Sequence, residues 1–132
     1  VEQGSRLSAL DVYRASCDRT AWYNAVCALF DTFDFLVLPS AQVFPFAAEI
    51  DWPRTVGGRD MDTYHRWMEV VIGSTLAGLP AISVPAGFGP DGLPMGLQIM
   101  GRPRADLDVL QLAHAWQHAT PFAQMRPALL RH

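Results

Sequence analysis

Lysine is absent from this 132-residue chain, and all ten of its basic residues are arginine. Arginine stays protonated in proteins, so none of them can serve as a general base. Charge of either sign is scarce, at 17% of residues, while half of the chain is hydrophobic. A small free-standing domain is expected to carry more charge than that. Part of this surface is therefore expected to lie against another portion of a larger protein. The formal charge of −3 gives no electrostatic reason to expect nucleic acid or an anionic membrane as a partner. No apolar run approaches the roughly 20 residues of a membrane span. The opening Val1-Glu2-Gln3-Gly4-Ser5 resembles no secretory signal, and a start without methionine fits a chain cut from a longer one. Cysteine is limited to Cys17 and Cys27. At about 1.5 Å of rise per residue of one predicted helix they stand roughly 15 Å apart, out of disulfide reach. They read as two small core thiols in a reducing cytoplasm.

What the chain does contain is one domain's worth of alternating helical and strand signals across residues 1–132. Ser8 is placed to cap a helix running to about Phe33, with an apolar stripe at Leu10, Tyr13, Cys17 and Ala21. From Ala21 to Phe30 only Asn24 is clearly polar, the pattern of a helix surrounded by protein. Asn24 itself reads as a satisfied core amide. Phe35-Leu36-Val37-Leu38 suits an inner strand, ended by Pro39. A helix is expected from Asp60 or Asp62, with the stripe Tyr64, Trp67, Met68, Val71, Ile72 and Thr75. Gly78 is its left-handed cap, and Pro80 forbids continuation. A strand then starts at Ala81. The helical crossover between the two strands implies that they run parallel. Gly89-Pro90-Asp91-Gly92 makes a turn into a half-buried return strand, in which Met95, Leu97 and Ile99 alternate with Gly96, Gln98 and Met100. Asp106 is the expected cap of a last helix with inner face Leu107, Leu110, Ala113 and Trp116. The tail from Pro121 has no period. The expected fold class is α/β, a small mixed sheet of about three strands flanked by about three helices.

Candidate chemistry is thin. None of the six serines lies in a Gly-x-Ser-x-Gly elbow, which would raise a hydroxyl on a strained strand-to-helix turn. Ser83 reads as a strand hydroxyl bonded to backbone. His114 and His118 share a helix face at a spacing that can hold zinc, but the glutamate of His-Glu-x-x-His is missing. They read as two solvated histidines near a helix C-terminus. Gly87, Gly89 and Gly92 flank a turn and open no helix, so they make no phosphate cradle. Arg54, Arg59, Arg66, Arg102 and Arg104 read as solvated, or paired with acids such as Asp51 and Asp60. The strongest candidate is the connection of residues 40–58. It is long for a compact domain and apolar, and it leaves the carboxyl end of a strand, where α/β sheets tend to bind ligands. Ser40, Gln42, Phe44, Phe46 and Trp52 are its candidate pocket residues; plain interior packing explains the same composition. No cofactor and no metal site is expected.

Three stretches carry a family resemblance. Gly78-Leu79-Pro80-Ala81-Ile82-Ser83-Val84-Pro85-Ala86-Gly87 and Gly92-Leu93-Pro94-Met95-Gly96-Leu97-Gln98-Ile99-Met100-Gly101 resemble the segment near the carboxyl end of amidase-signature enzymes, the Ser-Ser-Lys amide hydrolases. Phe33-Asp34-Phe35-Leu36-Val37-Leu38-Pro39-Ser40 is similar to that family's strand running into a Pro-Thr turn, with serine in the threonine place. Thr75 stands where such enzymes often carry asparagine. The resemblance spans about residues 8–120. It implies an enzyme that cleaves a carboxylic amide to acid and ammonia or amine. There a lysine that burial helps keep neutral activates the serine nucleophile through a bridging serine, and backbone N–H groups hold the oxyanion. The Gly/Ser-rich signature segment and the lysine have no counterpart in these residues, so no catalytic residue transfers to them. The expectation is a carboxyl-terminal fragment of a cytoplasmic amidase, inactive alone, contributing scaffold and one pocket wall for a small-molecule amide. Its partner would be the missing amino-terminal portion, with self-association into a homo-oligomer as another outcome. Two other readings stay open: a stand-alone non-enzymatic binding module, and a fragment of the amidase subunit of a transfer-RNA-dependent amidotransferase.

Overall fold

The computed structural model describes residues 4–126. Its first helix, α1 (Ala9–Leu29), starts with a reciprocal capping box. The Asp11 backbone N–H donates to the Ser8 hydroxyl oxygen, and the Ser8 backbone N–H donates back to the Asp11 carboxylate at 2.9 Å. Two of the helix's orphan donors are thereby satisfied. The packed side of α1 is the row Arg19, Trp22, Val26 and Phe30, spaced three to four residues apart. Arg19 Nε donates to the Leu76 carbonyl at 2.8 Å and Trp22 Nε1 to the Gly73 carbonyl at 2.9 Å, joining α1 to α2 (Glu69–Ala77). The stripe expected to face the core does not: Leu10 and Tyr13 are 53% and 67% exposed, and Cys17 and Asn24 are exposed as well. Only Val26 of α1 is buried. This helix carries a broad uncovered apolar side.

Strand β1 (Phe35–Pro39) follows. The expected helix start near Asp60 is replaced by a small hairpin of β2 (Thr55–Val56) and β3 (Arg59–Asp60). Its turn residues Gly57 and Gly58 both have positive φ, +57° and +79°, which suits the right-handed twist of two paired strands. Met61, next to it, is buried. A 3-10 turn over Arg66–Met68 then leads into α2. Arg66 ties that entry together through ion pairs with Asp62 and Glu69, and the hydrogen bond from Arg66 holds the Asp62 carboxyl below its usual range. At the far end Gly78 adopts φ +63°, the left-handed cap expected from the sequence.

Strands β4 (Ala81–Phe88) and β5 (Pro94–Gly101) form a hairpin, closed by the Gly92 N–H donating to the Gly89 carbonyl at 3.0 Å. The ladder slips between Pro85 and Gly87, a bulge where Gly87 takes φ +109°. Proline has no N–H for the ladder, so a bulge here costs little pairing. The sheet order is β1-β5-β4, and both ladders are antiparallel. The α/β class and the three strands match expectation, whereas the mixed pairing does not. β1 and β4 do point the same way, but β5 inserts between them and takes both partners.

That central position also changes β5's burial. Its second half, Gln98 to Gly101, is buried on both faces, not alternately. On one face α3 (Asp106–Ala119) packs Ala113, Leu112 and Trp116 against Ile99, Val84 and Ile82. Trp116 Nε1 donates to the Pro85 carbonyl at 2.8 Å. On the other face Val26, Ala77 and Leu79 gather with Phe30 and Leu36. Asp106 is the first residue of α3 rather than its cap; Ala105 holds the cap position without a side-chain bond. Phe122–Gln124 form a final 3-10 turn. Residues 1–3 and 127–132 lie outside the described residues.

Candidate functional site

The end of β1 lies over the middle of β5. The Ser40 N–H donates to the Gly96 carbonyl at 2.9 Å, and the Ser40 hydroxyl lies 2.6 Å from the Ser83 hydroxyl. The two serines belong to opposite sides of β5, and neighbouring strands lie about 4.8 Å apart. Their oxygens can meet across the middle strand only because Gly96 has no side chain. A β-carbon there would stand 2.8 Å from the Ser40 oxygen and 2.9 Å from the Ser83 oxygen. Ser83 is thus exposed and bonded to another hydroxyl, not tucked onto backbone as its apolar neighbours implied.

Two glutamines brace this corner. Gln98 is 5% exposed and donates through Nε2 to the Pro39 carbonyl at 2.9 Å and the Val70 carbonyl at 2.7 Å. Gln42 accepts from the Val70 N–H at 3.0 Å, satisfying one of the orphan donors in the first turn of α2. Pro39, Ser40, β5 and the start of α2 are held as a unit.

Beside the serine pair lies a recess of about 210 Å³, walled by Ser40, Phe44, Phe46, Trp67, Met95 and Gly96 among others. Phe46 and Trp67 meet edge to face with centroids 5.7 Å apart, and Phe44 also packs against Gly89. Of the five candidates from the sequence, Ser40, Phe44 and Phe46 line the recess. Gln42 is spent on α2, and Trp52 stands apart: it packs edge to face on Tyr64 at 5.9 Å, with the Arg54 guanidinium 3.8 Å over its ring. Sequence reasoning misses Trp67, Met95 and Gly96 as wall residues. Trp67 fits a helical core stripe, and Met95 and Gly96 come from a strand distant in sequence. The recess offers apolar contact with a few polar groups, the usual make-up of a small-molecule site. Among the described residues, no base touches either serine hydroxyl. A serine hydroxyl needs such a base to become a nucleophile.

A second, larger cleft of about 310 Å³ opens between α1, α2 and β1, lined by Trp22, Val26, Leu36, Val37 and Leu79 among others. His114 and His118 sit elsewhere, on the exposed side of α3. Three of the five arginines pair with acids: Arg59 with Glu69 at 3.3 Å, Arg66 with Asp62 and Glu69, and Arg102 with Asp34 at 3.9 Å.

The sequence model of the Amidase family matches residues 2–110. This chain belongs to the amidase family. Its backbone superposes on a bacterial aryl acylamidase of the amidase-signature enzymes with a TM-score of 0.84 and 30% identity, covering 93% of this chain and 26% of that one. Among curated relatives it is 40% identical over 113 residues to a glutamyl-tRNA(Gln) amidotransferase subunit from Thermodesulfovibrio yellowstonii, spanning 84% of this chain and 22% of that protein. It is 34% identical over 125 residues to a fatty acid amide hydrolase of Medicago truncatula, spanning 91% of this chain and 20% of that protein. The chain therefore spans about a fifth of the length of these curated amidase-family relatives.

Proposed function

We propose that these residues are the scaffold and one pocket wall of an enzyme that hydrolyses a carboxylic amide to acid and ammonia or amine, and that alone they are inactive. One observation carries this reading. An amidase-family chain without a single lysine holds a serine pair that, among the described residues, no base touches. Among the described residues, the proton that must leave a nucleophilic hydroxyl meets no basic acceptor. The reactive groups belong to the rest of the enzyme, for which the uncovered side of α1 is the docking surface. The small-molecule amide lies against Ser40, Phe44, Phe46 and Trp67. A cytoplasmic location, where Cys17 and Cys27 stay reduced, completes the proposal. Incubating the chain with benzamide and acetanilide is expected to give no turnover above a heat-killed control. Turnover abolished by heat overturns the claim of inactivity. A coding frame that supplies no lysine and no Gly/Ser-rich segment overturns the enzyme reading and favours a stand-alone binding module.

The 40% identity to an amidotransferase subunit favours a second reading, in which the amide is glutamine and its ammonia is passed on. The product of the whole reading frame separates the two. Hydrolysis of simple amides without transfer to glutamyl-tRNA(Gln) supports the first, and transfer supports the second.

A further inference from the structure

The proposed function makes no use of His114 and His118, which lie beyond residue 110, where the family match ends. They are four residues apart on α3, both exposed, with their rings edge to face at a centroid distance of 4.4 Å. The two Nε2 atoms converge to 3.1 Å. With metal–nitrogen bonds of about 2.05 Å, an Nε2 separation of 3.1 Å corresponds to a nitrogen–metal–nitrogen angle of about 98°. That value falls between the roughly 90° of a square or octahedral site and the roughly 109° of a tetrahedral one.

We propose that His114 and His118 form a two-nitrogen chelating site for a divalent transition-metal ion of the nickel, copper or zinc class. Imidazole is a fitting donor for these ions. In the free pair, one Nε2–H lies between the rings and donates to the other Nε2. On metal binding that proton moves to Nδ1 of the same ring, so both Nε2 lone pairs face the ion. His118 lies in the last turn of α3, where the helix carbonyls favour positive charge. Among the described residues no group of three or more His, Cys, Asp or Glu side chains gathers anywhere. The remaining coordination positions are therefore left to water or to a ligand from outside. Fixing two side chains one turn apart also locks the last turns of α3 against fraying.

The test is calorimetric titration of the untagged chain with NiCl₂, alongside His114→Gln, His118→Gln, the double variant and His65→Gln. The expected result is one Ni²⁺ per chain, affinity at least tenfold weaker in each single variant, none in the double variant and full retention in His65→Gln. Paramagnetic broadening confined to the His114 and His118 ring protons supports the site in the unaltered chain. Absence of Ni²⁺ uptake, or uptake unchanged in the double variant, overturns it.

Discussion

Replacing Gly96 by alanine places a methyl group between two hydroxyls that now touch. The new carbon would lie 2.8 and 2.9 Å from the Ser40 and Ser83 oxygens and 3.2 Å from the Val84 carbonyl oxygen, so the serines must separate. Losing their hydrogen bond costs about 1 kcal/mol, and overpacking at a site flanked by strands adds about 1–3 kcal/mol. Gly96 has no positive φ, so alanine suits the backbone there and recovers about 0.5–1 kcal/mol of strand propensity. The net expected loss is about 2 kcal/mol, or a fall in Tm of roughly 8 °C for a domain of this size. Thermal unfolding followed by circular dichroism measures it. The control is the same substitution in a Ser40→Ala/Ser83→Ala background. With both oxygens gone, the cost of Gly96→Ala is expected to shrink to within about 0.5 kcal/mol of zero. An equal loss in both backgrounds would refute the account of Gly96 as the gap through which the serines meet.

Gln98→Leu keeps the volume but leaves the Pro39 and Val70 carbonyls without their donor. Losing these two hydrogen bonds costs about 1–3 kcal/mol, read as a lower urea midpoint at unchanged m-value; an unshifted midpoint refutes the bracing role. Asp11 is held below the usual aspartate range, first by the Ser8 hydroxyl and then by the Ser8 backbone N–H. A depressed folded-state pKa means that the cap is fully stabilising above the ordinary aspartate range and is lost as pH falls through the lowered value. In Ser8→Ala the Asp11 carboxyl, followed by NMR titration, is expected to titrate at higher pH; an unmoved midpoint contradicts the capping assignment.

The parts of this fold that are legible in the sequence are those whose cause is local. Ser8 with Asp11 three residues on, Gly78 before Pro80, and Gly89 to Gly92 each act within a few residues, and each sits where local chemistry puts it. The α2 start is misplaced from sequence because Asp60 and Asp62 look like caps, and they outweigh the adjacent Gly57-Gly58 pair, a hairpin signal. The exposed stripe of α1 misleads for another reason: apolar periodicity marks what a helix will bury, without saying whether the covering surface is in the same chain. At the candidate site, Phe44 and Phe46 are readable from a long apolar loop. The Ser40–Ser83 contact, Trp67 and the two-sided burial of Gln98 are not. They depend on β5 entering between β1 and β4, a pairing across about half the chain.

That entry of β5 sets an order of assembly. The β4–β5 hairpin closes over a short turn, whereas Phe35 must find Gly101 across an intervening stretch of about 65 residues. Closing so long a loop is entropically slower than zipping a hairpin, so the amino-terminal third docks last onto a preformed ribbon. A single protease nick in the exposed stretch near residue 48 would then leave two pieces able to reassociate through the β1 ladder, the α1–α2 contact and the Gln98 brace.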